Sequence, residues 1–248
     1  MKSEERQLAT AAENEYTRFK REMCIGQLLA GKHCLIIGAT GSGKTFFMAN
    51  IANRFLSRVI FVNPQLEEVI TKVCDVSTGS TDEVIEAITE GAKAVEFIPA
   101  EDVDAAIDEL AELRTDIFAI AQELRKENRI EDGAFWLDFI LDEAQLYAWK
   151  GSRNDVDNFA TRGRHWGVRC WFLTQRPQNL SSTIINNVQY QVIFRTGSYE
   201  SVYFKTYKIP IERYASWLRR DYHYILWDGI DAQECNPLGG ETDGRKGV

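Results

Sequence analysis

Eight consecutive residues, Gly38-Ala39-Thr40-Gly41-Ser42-Gly43-Lys44-Thr45, fit the pattern G-x-x-x-x-G-K-[ST] in full. Each position has a chemical reason. Glycines let the backbone curl so that successive N–H groups point inward at phosphate oxygens. A helix opening after the loop adds the positive end of its dipole. Lys44 supplies a point charge for the β- and γ-phosphates, and the Thr45 hydroxyl is a Mg²⁺ ligand. Phe46, next along the helix, is counted with them as a nucleotide contact. The expected ligands are ATP and Mg²⁺.

A second cluster, Phe139-Ile140-Leu141-Asp142-Glu143, is an apolar run ending in two acids. Asp142 is placed to hold Mg²⁺ through its water shell. Glu143 is placed to polarise an attacking water as general base. An Asp-Glu pair can also cap a helix. Beside a phosphate loop the hydrolytic reading is favoured, because a protein that only binds nucleotide has no use for the second acid. Gln175 ends the apolar run Val168–Thr174. Ligands of parallel sheets bind at the carboxyl ends of strands, so Gln175 is a candidate γ-phosphate sensor.

These residues need strands to carry them. Short apolar runs at His33–Ile37, Arg58–Val62, Lys93–Ile98, Phe135–Leu141, Val168–Thr174, Gln191–Thr196 and Tyr222–Trp227 read as strands. Helical spacing is found over residues 3–29, Phe46–Leu56, Thr81–Glu90 and the acidic segment Val103–Asn128. Alternation of the two predicts an α/β fold, a mostly parallel twisted sheet with helices on both faces. The expected division is an N-terminal helix over 1–30, one ATPase domain over 31–236 with a helical insertion near 65–130, and a flexible tail over 237–248.

With 248 residues, 44% of them hydrophobic, the chain can build one large core. Its net charge of −8 argues against a generally basic nucleic-acid coat. The charge is uneven: residues 151–248 hold 13 Lys+Arg against 10 Asp+Glu, and residues 1–150 hold 16 against 27. A local basic strip is compatible with that balance. Cys24, Cys34, Cys74, Cys170 and Cys235 show no C-x-x-C spacing. Neither a zinc site nor a disulfide framework is suggested, and reduced thiols are expected. No apolar run is long enough for a bilayer and no signal peptide is evident, so a cytoplasmic protein without stable membrane insertion is expected.

Four segments in order resemble the HerA–FtsK superfamily of DNA-pumping ATPases: Ile140-Leu141-Asp142-Glu143-Ala144-Gln145, Arg162-Gly163-Arg164-His165-Trp166-Gly167-Val168, Thr174-Gln175-Arg176-Pro177 and Val192-Ile193-Phe194-Arg195. The resemblance implies a RecA-like core, hydrolysis at subunit interfaces of a ring (a hexamer or pentamer), and double-stranded DNA in the channel. It implies Gln175 as the sensor and Arg164 as the arginine finger acting on a neighbour, with Arg162 and Arg195 as alternates. The chain has neither an N-terminal barrel nor membrane spans beside this core. It therefore looks like the genome-packaging ATPases of tailless, membrane-containing viruses, whose partners are DNA and capsid or portal-vertex proteins, in the host cytoplasm or the virion. Filamentous-phage assembly ATPases and conjugation pumps are the alternatives within the superfamily. A non-hydrolysing nucleotide-binding scaffold is the alternative outside it. Lys150 and Arg153, in the segment after the catalytic strand, are candidate DNA-phosphate contacts.

Overall fold

The computed structural model describes residues 23–131, 133–151, 155–197 and 201–238. Most of the helix expected over 3–29, Arg153, and the tail beyond 238 lie outside them. Residues 23–30 form α1. The elements after it are β1 (Cys34–Ile37), α2 (Lys44–Phe55), β2 (Val59–Val62), α3 (Glu68–Thr71), β3 (Val76–Thr78), α4 (Thr81–Glu90), β4 (Ala94–Phe97), α5 (Val103–Lys126) and β5 (Leu137–Leu141). Then come α6 (Asp157–Arg162), β6 (Val168–Thr174), α7 (Ser182–Asn187), β7 (Tyr190–Ile193), α8 (Ser201–Thr206), α9 (Ala215–Leu218), β8 (Tyr224–Trp227) and β9 (Ala232–Cys235).

Among the described residues the strands form one nine-stranded sheet in the order β3-β4-β2-β5-β6-β1-β7-β8-β9. The first seven run parallel, and β8 and β9 are antiparallel additions. Every residue of β1, β2, β5 and β6 is buried. That is why these strands read as mostly apolar runs, broken in β5 and β6 by Asp138 and Arg169: a parallel strand covered on both sides has no solvent face to mark with polar residues. Alternate side chains serve two cores. Leu35, Ile60, Phe139 and Phe172 pack under α4 to α9. Ile36, Phe61, Ile140 and Trp171 pack under α1, α2 and α3.

Helix α5 begins where the Asp102 carboxylate accepts the Ala105 N–H at 2.9 Å. Its Ile107, Leu110, Leu113 and Ile117 form the stripe that lies on the sheet. The segment 65–130 is not set apart as a helical unit. It supplies β3 and β4, and β4 pairs directly with β2 in the parallel register. Neither β3, Val-Ser-Thr, nor β9, Ala-Gln-Glu-Cys, was anticipated. Both are edge strands with little apolar pattern of their own.

One buried ion pair fixes the middle of the sheet. Arg169 at the start of β6 donates to Asp138 of β5 at 2.5 and 3.0 Å, and to the carbonyl of Leu29. Trp171 Nε1 donates to the same carboxylate at 2.8 Å. The expectation that all thiols are reduced is corrected. Cys24 of α1 and Cys235 of β9 form a disulfide across 211 residues of sequence. Sequence spacing could not reveal it, because the pair meets only when both elements pack on the same face of the sheet.

Candidate nucleotide site

The phosphate loop is the connection from β1 to α2, at the carboxyl end of an interior strand. Its start is pinned from both sides by the neighbouring strands: Gly38 N donates to Thr174 O at 3.2 Å and Ala39 N to Arg195 O at 2.9 Å. Gly41 and Gly43 have φ of 70° and 99°, in the region glycine enters without strain. A side chain on Gly38 would collide with Ser42 Oγ and with Phe194 Cβ at 2.9 Å. Glycine thus avoids a clash at Gly38 and backbone strain at Gly41 and Gly43.

Three observations test whether the residues fit a nucleotide and its metal. Ser42 is 5% exposed, and its Oγ is buried with no hydrogen-bond partner, so the loop holds an unsatisfied polar atom on its inner side. Lys44 is 6% exposed, and its Nζ donates to the Ala39 carbonyl within the loop at 3.4 Å, which keeps the ammonium inside the curl of the loop. Thr45 Oγ1 donates to Asp142 Oδ2 at 3.3 Å, which puts a hydroxyl and a buried carboxylate side by side at the first turn of α2. The site fits Mg²⁺ and a triphosphate: one hydroxyl, one carboxylate and substrate phosphates suffice for that metal.

Burial pushes Asp142 up to about 6, with the adjacent Glu143 charge the second cause. Lys44, Thr45 and the backbone of Glu143 act the other way. Two acids lie close together here, with Asp142 2% and Glu143 9% exposed, which is an environment that favours a cation.

Glu143 leaves β5 with φ 48° and ψ 45°, a left-handed conformation uncommon outside glycine. Its carboxylate is gripped by two amides. Gln175 Nε2 donates to one oxygen and Gln145 Nε2 to the other. Gln145 in turn accepts the Thr174 hydroxyl at 2.5 Å, and Gln175 accepts the Thr40 hydroxyl at 2.6 Å. The chain Thr40–Gln175–Glu143–Gln145–Thr174 thus joins the phosphate loop to the ends of β5 and β6. Gln175 is where the sequence put it. The role of Gln145 was not read from sequence, although a polar side chain two residues after the acid was a usable signal.

The other candidates are distributed differently. Arg164 and Arg162 lie before β6, both exposed, at the opposite end of the sheet. The length of β6, about 20 Å of extended chain, separates them from their own phosphate loop. Arg164 lines a polar cavity of about 670 Å³ with Lys32, Arg125 and His165. Arg195 is on the nucleotide side and lines a cavity beside Gly41 and Ser42. Lys150 is exposed beyond the carboxyl end of β5, its N–H donating to Asn179 O at 3.0 Å. Trp149 and Leu180 form an isolated antiparallel bridge next to it.

Solved structures with the same fold include the genome packaging NTPase B204 of Sulfolobus turreted icosahedral virus 2 in complex with sulfate. It is 16% identical, with a TM-score of 0.62 over 84% of this chain and 98% of that one. VirB4 of Thermoanaerobacter pseudethanolicus is 11% identical, with a TM-score of 0.53 over 84% and 89%. EssC of Geobacillus thermodenitrificans is 12% identical, with a TM-score of 0.51 over 86% of this chain and 41% of that one. These are P-loop ATPases of HerA–FtsK type, and the fold expected from the four sequence segments is borne out. No curated protein matches the chain. Among the described residues no helix is long and apolar enough to cross a membrane. A family model described as "Type III restriction enzyme, res subunit" matches residues 5–145, a stretch that holds the phosphate loop, Asp142 and Glu143. The chain belongs to that family, ResIII, and is an ATP-hydrolysing enzyme on a RecA-like P-loop core.

Proposed function

We propose that this enzyme is an ATP-driven translocase of double-stranded DNA that packages a viral genome into a preformed capsid. The observation that carries this reading is the likeness to B204, the DNA-packaging ATPase of Sulfolobus turreted icosahedral virus, over 84% of this chain and 98% of that one. In this reading residues 31–236 are the motor, residues 1–30 an N-terminal helix and residues 237–248 a tail. The enzyme works in the host cytoplasm or in the virion, against capsid or portal-vertex proteins.

The residues take these roles. Backbone N–H groups of Gly38 to Gly43 and the Lys44 ammonium hold the phosphates. Thr45 and Asp142 hold Mg²⁺, which supplies charge neutralisation on the phosphates. Glu143 accepts the proton of the attacking water, and Gln175 reports the γ-phosphate to it. Arg164 reaches a neighbour's site in a ring of five or six subunits, since its distance from its own loop leaves it no role there. Lys150 and Arg153 touch DNA phosphates rather than bases, as a motor indifferent to sequence requires.

The test is ATP turnover and displacement of a triplex-forming strand from duplex DNA. Wild type is expected to turn over and to displace. Glu143→Gln should bind ATP and lose turnover by at least about 100-fold. Arg164→Ala should lose turnover, and mixing it with Lys44→Ala subunits should restore part of it. Turnover without any displacement on duplex DNA would sink the translocase reading and leave the ATPase standing.

A further inference from the structure

The loop before β8 faces the phosphate loop, with Tyr222 against Gly43. Strand β8 runs antiparallel to β7, with Ile193 opposite Ile225. That direction brings residues 219–223 to the carboxyl end of β1 and β7, where the phosphate loop stands. The loop is firmly built. Trp217 Nε1 donates to Tyr224 O at 3.0 Å, and the Arg220 guanidinium lies over the Trp217 ring at 4.9 Å. His223 meets that indole edge-on, with ring centroids 4.7 Å apart.

Tyr222 is the exception within it. Its φ is 59°, a left-handed conformation that is an outlier for a bulky side chain and tends to persist at ligand clamps. The residue is 54% exposed. One edge rests on the phosphate loop, so close that a Cβ on Gly43 would lie 2.6 Å from it. Phe46, in the first turn of α2, is 51% exposed and tilted toward it, with ring centroids 6.3 Å apart at 42°. Arg195, Arg220, Asp221 and His223 line the cavity that Tyr222 shares with Gly41 and Ser42. Two large aromatic faces are thus left open beside a phosphate cradle, one of them held there by a strained backbone.

We infer that Tyr222, together with Phe46, is the platform on which the base of the bound nucleotide stacks, and that the ligand class is purine nucleoside triphosphates. A ligand whose phosphates lie on Gly41 to Thr45 leaves a flat apolar ring to be covered. Stacking on a π-face rewards ring area and tolerates differences at the edge, so two-ring bases bind better than one-ring bases. The inference rests on the loop's being a triphosphate site, and the experiment separates the two.

Mg-ATP and Mg-tripolyphosphate, which lacks base and sugar, are titrated calorimetrically into wild type, Tyr222→Ala and Tyr222→Phe. Tyr222→Ala should weaken ATP about tenfold and leave tripolyphosphate unchanged, while Tyr222→Phe retains both affinities. Equal losses for both ligands would mean that Tyr222 only props the phosphate loop, and would overturn the inference. So would unchanged ATP affinity in Tyr222→Ala. Should that variant not fold, Tyr222→Trp serves: its added emission is expected to be quenched by ATP and not by tripolyphosphate, and absence of quenching by ATP overturns the inference. Failure of wild type to bind either ligand would instead sink the reading of the phosphate loop itself.

Discussion

Asp142 sits in a place that is unfavourable for a charge until a cation arrives. Its carboxyl is pushed up to about 6, by burial first and by Glu143 second. An acid raised in the folded chain is stabilised in its neutral form. The cost of ionising it is absent below about pH 4, where both folded and unfolded chains are protonated, and is complete above about pH 6. Mg²⁺ needs the ionised form, so affinity for the Mg-nucleotide should fall as pH drops below about 6. Asp142→Asn should raise the stability of the ligand-free protein by about 1–3 kcal/mol at pH 7.5, show no such gain at pH 4, and abolish Mg²⁺-dependent turnover. Urea denaturation at the two pH values checks this, and equal effects at both would contradict it. The contiguous motif residues were legible because each carries its chemistry in its own type and spacing. The amide grip on Glu143 was only half legible. Gln175 follows a clear strand, but Gln145 acquires its role from Thr174, 29 residues away and brought near only by β5–β6 pairing.

At the scale of elements, the site depends on the register of β5 against β6, since Glu143 follows the end of one and Gln175 the end of the other. A one-residue slip would turn every side chain of a strand to the opposite face. The Asp138–Arg169 pair guards that register at the far end of the two strands, with Leu29 O and Trp171 absorbing the remaining hydrogen-bonding capacity. Arg169→Ala would strand a buried carboxylate and should cost about 3–5 kcal/mol. Urea midpoints measure it, and a loss below about 1 kcal/mol would show that the pair does not hold the strands. The interior strands could be read because burial on both faces forces apolar runs. The edge strands β3 and β9 could not. Val76–Thr78 and Ala232–Cys235 become strands through the neighbours they pair with rather than through their own pattern.

For the whole molecule, the pairing of α1 with β9 was invisible in sequence, and with it the Cys24–Cys235 disulfide. Closing so long a loop restricts the unfolded chain by as much as roughly 5 kcal/mol in the chain-entropy model. Cys24→Ser should therefore melt lower than wild type in non-reducing buffer, by about 10 °C, and should match wild type in dithiothreitol. Scanning calorimetry under both conditions decides it, and equal melting temperatures without reductant would remove the bond from the stability of the protein.

The same bond has a mechanical meaning. Every residue of the nucleotide site, from Gly38 to His223, lies inside the covalent circle closed between positions 24 and 235. Tension applied to the chain outside those positions passes through the sulfur bridge and bypasses the hydrogen bonds of the sheet. Pulled at its two ends by optical tweezers, the oxidised protein should lengthen only by the segments outside the circle. The reduced protein should yield its β-sheet and with it the ATP site. A machine that works against a load would thus carry its catalytic centre on a covalent sling.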